Sequence, residues 1–164
     1  MAIEKVFYMQ WQEACENQSL INLPFKIELN NQGKILMTPV KVNHSILQGK
    51  IIGYLYRSLT GGEALAECAI RTKQGTKVAD VAWASNKVLE KIENEVECSI
   101  APEICIEVLS FSNTKSEINE KKIMYFEQGA IEFWVCDNFG NISFFSNNGK
   151  IERSKLAKDF PVNI

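Results

Sequence analysis

Residues 102–113 read PEICIEVLSFSN, a short apolar, β-branched run with one carboxylate, Glu107, in its middle. The length and composition are those of a buried strand. Side chains alternate faces along a strand, so Cys105, Glu107 and Leu109 share one face and Ile104, Ile106 and Val108 the other. Burying an ionised carboxylate in a low-dielectric interior is costly unless it is paired or holds a cation. A compensating group is therefore expected beside Glu107.

The preceding stretch TKVADVAWAS (76–85) repeats the pattern: Val78, Asp80 and Ala82 share one face, Ala79, Val81 and Trp83 the other, and Asp80 alone interrupts the apolar run. With EALAECAIRT (63–72) and the KQG turn it predicts an antiparallel hairpin. Downstream, Thr114 and Glu117 have the spacing of a capping box, which predicts a helix from Thr114 to Gln128 ended by Gly129. IEFWVCD, the turn NFGN and ISFFS then give two more strands.

Upstream, FKIEL (25–29), NNQG and KILMTP (34–39) predict a hairpin. In HSILQGKIIGYLYRSL, Leu47, Ile51, Leu55 and Leu59 recur at i, i+4, an amphipathic helix that TGG should stop with a left-handed glycine. NKVLEKIENEVE (86–97) reads as a short surface helix or a structured loop. Residues 1–22 show no clear pattern. The order of elements implies an α/β (α+β) chain: a mixed central β-sheet flanked by helices, with an N-terminal β-hairpin.

A chain of 164 residues is long enough for one core without disulfides or structural metals, so we expect a single domain over 1–164 with an N-terminal extension at 1–24. Lys and Arg number 18 against 20 Asp and Glu, a net charge of -2, so no global basic field marks a nucleic-acid or membrane binder. The five cysteines, at 15, 68, 98, 105 and 136, form no CxxC pair. Three of them, Cys68, Cys105 and Cys136, fall in runs that read as buried strands, as expected of core thiols in a reducing compartment. One histidine and scattered thiols lack zinc-ligand spacing. MAIEKVFYMQ has no apolar signal core and no run approaches about 18 apolar residues, so the expectation is a cytoplasmic protein without membrane partners.

Two carboxylates on adjacent strands could converge on a hard divalent cation such as Mg²⁺. A lysine nearby would complete a site for phosphoryl chemistry by neutralising developing negative charge. The helix after the Glu107 strand offers Lys121 and Lys122. At about 100° per residue Lys121 falls between Met124 and Tyr125, and Lys122 between Ile118 and Phe126, so periodicity does not choose between them. Taken alone, Glu107 is equally well a structural acid and either lysine a solvated one.

The segments KVADVAW, PEICIEVLSFSN and EKKIMYFEQGAIEFWVCD together resemble the Uma-two family of restriction endonuclease-like proteins, within the PD-(D/E)XK nuclease superfamily. The resemblance covers about residues 25–146. It implies a restriction-endonuclease-like fold and an endonuclease that hydrolyses phosphodiester bonds of nucleic acid, with DNA the expected partner and Mg²⁺ or Mn²⁺ the cofactor. The family's metal-binding acids fall on Asp80 and Glu107, and its lysine on Lys121, four before Tyr125 and eight before Gly129. These three are the implied catalytic residues. Glu67, Gln48, His44 and Lys122 are supporting candidates. Ala79, Phe111 and Asn138 stand where the family pattern has proline, and Glu103 where it has aspartate. The rival reading is a nuclease-like accessory module without catalysis, for dimerisation or DNA binding. Net acidity and the lack of an obvious basic patch favour it, although Lys73, Lys77, Lys115, Lys121 and Lys122 could still gather on one rim. Cutting both strands of a duplex with one small domain would most simply use a homodimer.

Overall fold

The computed structural model describes residues 9–164; residues 1–8 of the expected N-terminal extension, including most of MAIEKVFYMQ, lie outside the described residues. The elements run α1 (Trp11–Glu16), β1 (Phe25–Leu29), β2 (Ile35–Pro39), α2 (Val42–Ser58), β3 (Gly62–Thr72), β4 (Gly75–Ser85), α3 (Asn86–Ile92), β5 (Ile104–Val108), α4 (Lys115–Glu127), β6 (Glu132–Cys136), β7 (Ile142–Ser146) and β8 (Gly149–Ile151). β1 and β2 form the expected hairpin. The other strands make one six-stranded mixed sheet in the order β3-β4-β5-β6-β7-β8. The β5–β6 pair is parallel and the others antiparallel. A parallel pair needs a crossover, and α4 supplies it.

Every residue of β5 is buried, as an interior strand covered on both faces requires. On one face Leu47, Ile51 and Leu55 of α2 pack with Ala157 and Phe160 of the C-terminal segment over Val81, Ile104, Ile106, Trp134 and Phe144. On the other, Tyr125 of α4 and Ile92 of α3 pack over Cys68, Ala82, Cys105 and Phe133. The alternation of β5 is as expected. In β4, Ala79 packs with Ala82 and not with Val81 and Trp83. The strand departs from regular pairing next to Ala79, at Asp80, and its two-residue repeat breaks there.

α4 starts as its sequence demands: the Thr114 hydroxyl accepts the Glu117 N–H at 3.2 Å and the Glu117 carboxylate accepts the Thr114 N–H at 2.8 Å. Gly129, at φ 103°, ends it. α2 differs from expectation at both ends. It begins at Val42, so His44 lies inside its first turn, and it stops at Ser58 with Leu59 extended. The left-handed glycine is Gly61, φ 73°, which turns the chain into β3 instead of capping the helix. α1 and β8 are too short and too polar for periodicity to reveal.

All five cysteines are free thiols. Cys98 joins the three expected to be buried, its sulfur 3.5 Å from that of Cys68, and Cys15 is exposed. Among the described residues no helix is long and apolar enough to cross a membrane.

Glu132, buried at the start of β6, ties the C-terminal segment to the sheet. Its carboxylate accepts the Trp134 indole N–H (2.8 Å), the Ser154 hydroxyl (2.7 Å) and the backbone N–H groups of Lys155 (2.7 Å) and Leu156 (3.1 Å). Removing it orphans four donors, two of which, the Trp134 indole N–H and the Ser154 hydroxyl, are on buried residues. Glu132→Ala is expected to lower unfolding free energy by about 3 kcal/mol or more, measured by urea denaturation; a loss under about 1 kcal/mol would show that the segment is held by its apolar contacts alone.

Candidate functional site

β4 and β5 pair only at Val81↔Ile106, Ala82↔Cys105 and Trp83↔Ile104. One step further the same register sets Asp80 opposite Glu107, and there the ladder opens. The Asp80 carboxylate fills the gap: its Oδ2 accepts the Val108 N–H at 2.7 Å. The donor that β5 can no longer give to β4's backbone is thus satisfied by a β4 side chain. The two isolated acids of the sequence therefore stand at matching positions across splayed strands.

Oδ1 of Asp80 faces a cleft of about 550 Å³ lined by Lys26, Glu28, His44, Asp80, Glu107 and Lys121. The Lys26 ammonium lies 2.6 Å from it and His44 Nε2 lies 3.2 Å away. The His44 contact is a close approach without hydrogen-bond geometry, which leaves Nε2 a buried polar atom with no hydrogen-bond partner among the described residues. Gln48, one turn along α2, donates to the Asp80 carbonyl at 2.9 Å and to the Glu67 carboxylate at 2.6 Å. Glu67 is opposite Asp80 in β3, at φ 49°. That left-handed conformation is uncommon for a residue with a Cβ and interrupts the ladder between Ala66↔Val81 and Cys68↔Ala79. His44, Glu67 and Asp80 each offer a ligand atom within 4.8 Å of the others.

Glu107 is 3% exposed. Its Oε1 accepts the Tyr125 hydroxyl at 2.8 Å and its Oε2 the Lys121 ammonium at 3.1 Å, both from α4. Lys121 also reaches Glu28 at 2.8 Å, and the same Glu28 oxygen accepts the Val78 N–H at 2.8 Å. The compensation that Glu107 required therefore comes from α4, with β1 bracing Lys121 from the other side.

The charges decide what the cleft can hold. Burial raises the Glu107 carboxyl above its ordinary value, an effect that Lys121 and Lys26 only partly offset. Burial alone would also raise Asp80, but the contact with His44 and the Lys26 charge outweigh it and hold that carboxyl well below the usual range. Glu28 is lowered as well: Lys121, Lys26 and the Val78 N–H overcome its burial. Lys121 and Lys26 are both raised despite burial, chiefly by Glu107, so each stays an ammonium. Five carboxylates line the cleft (Glu28, Asp80, Glu107, Glu117, Glu120), with Glu67 on its flank, against three ammonium groups (Lys26, Lys77, Lys121) and one histidine. A surplus of negative charge, oxygen donors and an orphaned imidazole nitrogen fit a divalent cation.

Of the residues singled out in the sequence, Asp80, Glu107, Lys121, His44 and Gln48 meet in or beside this cleft, with Glu67 on its flank. Lys122 does not. Its ammonium lies over the Phe145 ring, 4.9 Å from the centroid, beside a separate cleft, because one helical step from Lys121 rotates it away. The supposed basic rim is likewise dispersed: Lys73 pairs with Glu127 and Lys77 is buried on the Leu29 carbonyl. Lys26, Glu28 and Tyr125 are the contributors that the sequence reading missed. In FKIEL the charged residues alternate with apolar ones, the ordinary mark of a solvated strand face, so nothing there signals that Lys26 and Glu28 turn inward.

A family model described as "Putative restriction endonuclease", Uma2, matches residues 10–156. The chain belongs to the Uma2 family. Among solved structures, the Uma2 chain is similar to the crystal structure of a "putative nuclease belonging to DUF820" from Anabaena variabilis, with a TM-score of 0.72 at 15% identity and 94% of each chain covered. At that identity the likeness shows the fold. No match is found among curated proteins.

The acid limb of stability follows from the shifts. Asp80 and Glu28 titrate below their ordinary values of 3.8 and 4.5. The stability they contribute is therefore present above that range and lost as the pH falls through it. Urea denaturation from about pH 5 to about pH 3 should show falling stability, with a flatter slope in Glu28→Gln, which keeps an acceptor for Val78. An unchanged slope would mean that Glu28 is not held ionised by Lys121 and Lys26.

Proposed function

We propose that this Uma2 chain is a Mg²⁺- or Mn²⁺-dependent endonuclease that hydrolyses phosphodiester bonds, with DNA as substrate. Asp80 and Glu107 would hold the ion, with His44 and Glu67 beside Asp80 as further donors. The observation that carries this reading is the placement of Lys121: an ammonium fixed between Glu107 and Glu28 at the point where two buried acids face each other across splayed strands. A purely structural carboxylate would be expected to keep its partners out of a water-accessible cleft, whereas here both acids line one.

When bound, the ion would supply positive charge to the phosphoryl oxygens and acidify an attacking water. The chain's own residues do the rest. Tyr125 and Lys121 orient the Glu107 carboxylate from α4, and the Val108 N–H fixes Asp80 so that Oδ1 faces the cleft. Lys121, a permanent cation at the floor, would stabilise the charge that builds on the phosphoryl group as the water oxygen bonds to phosphorus and the leaving oxygen departs. Glu28, which also lines the cleft, sets the position of Lys121. The family and the fold of its neighbour support the nuclease class; metal, substrate and residue roles are our reading of the cleft. We propose a homodimer for cutting both strands of a duplex.

Supercoiled plasmid incubated with the native protein in Mn²⁺ is expected to be nicked, and EDTA should abolish the reaction. Glu107→Gln and Lys121→Met should each slow nicking by about 100-fold or more, the usual scale for losing one charge-stabilising group. Native protein inactive on DNA across several metals, yet binding it in a salt-dependent way that survives Glu107→Gln, would favour the accessory-module reading.

A further inference from the structure

The two ammonium groups paired with the buried acids of the cleft are held in different ways. Lys121 is locked between two carboxylates, Glu28 at 2.8 Å and Glu107 at 3.1 Å. Among the described residues, Lys26 makes one ion pair, to Asp80 Oδ1 at 2.6 Å. Asp80 Oδ2 already accepts the Val108 N–H, so Oδ1 is the oxygen that faces the cleft. A cation that uses the cleft-facing oxygen of Asp80 therefore comes to the atom on which Lys26 sits. An ammonium and a divalent ion at one oxygen repel strongly in a part-buried cleft.

We propose that Lys26 is a tethered counter-ion that competes with the metal for Asp80: it neutralises the carboxylate until an ion binds, is then displaced from Oδ1, and so sets the metal affinity of the site. The inference rests on the metal-dependent reading above and adds to it a residue that weakens ion binding. Displacement is sterically reasonable. Lys26 sits on a two-stranded hairpin outside the six-stranded sheet, and its four-carbon stem gives the ammonium several ångströms of travel. Glu28, which is not among the proposed metal ligands, lines the same cleft and acts on its charge, so an acid is near to receive it. Lys121, with two partners and a place on α4, has no such freedom.

The competition predicts opposite effects of one substitution in the two conditions. Lys26→Met leaves Asp80 without its cation, so the variant should melt at lower temperature than the native protein in EDTA. In Mn²⁺ it should gain more than the native protein does, and calorimetric titration should show Mn²⁺ bound at least tenfold more tightly. Lys77→Met is the control, because Lys77 lines the same cleft but bonds to the Leu29 carbonyl. It should leave Mn²⁺ affinity within about twofold of native.

Affinity in Lys26→Met equal to or weaker than native would overturn the proposal while leaving the metal site standing. A tenfold gain in Lys77→Met as well would overturn it too, by reducing the effect to the field of any nearby lysine. If Lys26→Met is unfolded in EDTA, Mn²⁺ should refold it by supplying the missing charge, and a chain that stays unfolded at Mn²⁺ concentrations that saturate the native protein contradicts the idea. Native protein that takes up no Mn²⁺ would remove the metal reading itself, and the role of Lys26 with it.

Discussion

One hydrogen bond organises the cleft: the Val108 N–H to the Asp80 carboxylate, where a side chain of β4 replaces its backbone as the partner of β5. A sheet interior tolerates an opened ladder only if the freed groups find other partners. Asp80 meets that demand with one oxygen and turns the other toward the cleft. The opening also separates β4 from β5 where the register would set Asp80 against Glu107. Two acids directly paired across a closed ladder would repel; across the splayed strands they share a cleft and its cations.

The surroundings can be read as answers to the cost of those acids. Glu107 is met by Tyr125 and Lys121, four residues apart and hence on one face of α4. Asp80 is met by Lys26 from the hairpin and His44 from the first turn of α2. Glu28 joins the halves by bonding both Lys121 and the β4 backbone. Four elements that are distant in sequence thus converge on one small charged volume, and the β1–β2 hairpin, which lies outside the main sheet, is tied to β4 through Glu28 and Lys26.

Much of this was legible in the chain. Apolar alternation, the Thr114–Glu117 box and the turn residues marked most elements, and an isolated acid in an apolar strand marked Asp80 and Glu107 as residues that needed a partner. Periodicity could not rank Lys121 over Lys122, because a helical wheel places both beside apolar neighbours; the structure puts one ammonium on Glu107 and the other on the Phe145 ring. Lys26 and Glu28 were illegible for another reason. Their strand has the alternation of a half-exposed hairpin, and only the docking of that hairpin on β4 buries its polar face. The left-handed Glu67 was equally hidden, since nothing in EALAECAIRT marks the point where the β3–β4 ladder is interrupted.

The sharpest question is whether Asp80 and Glu107 share an ion, as proposed. Crystals of the native protein grown with Mn²⁺ and measured at a wavelength that gives manganese anomalous scattering would answer it. The expected result is a peak within about 2.2 Å of both Asp80 Oδ1 and a Glu107 oxygen. A peak held by His44, Glu67 and Asp80, with Glu107 still bonded only to Lys121 and Tyr125, would contradict the pairing of the two buried acids on which the proposed chemistry depends.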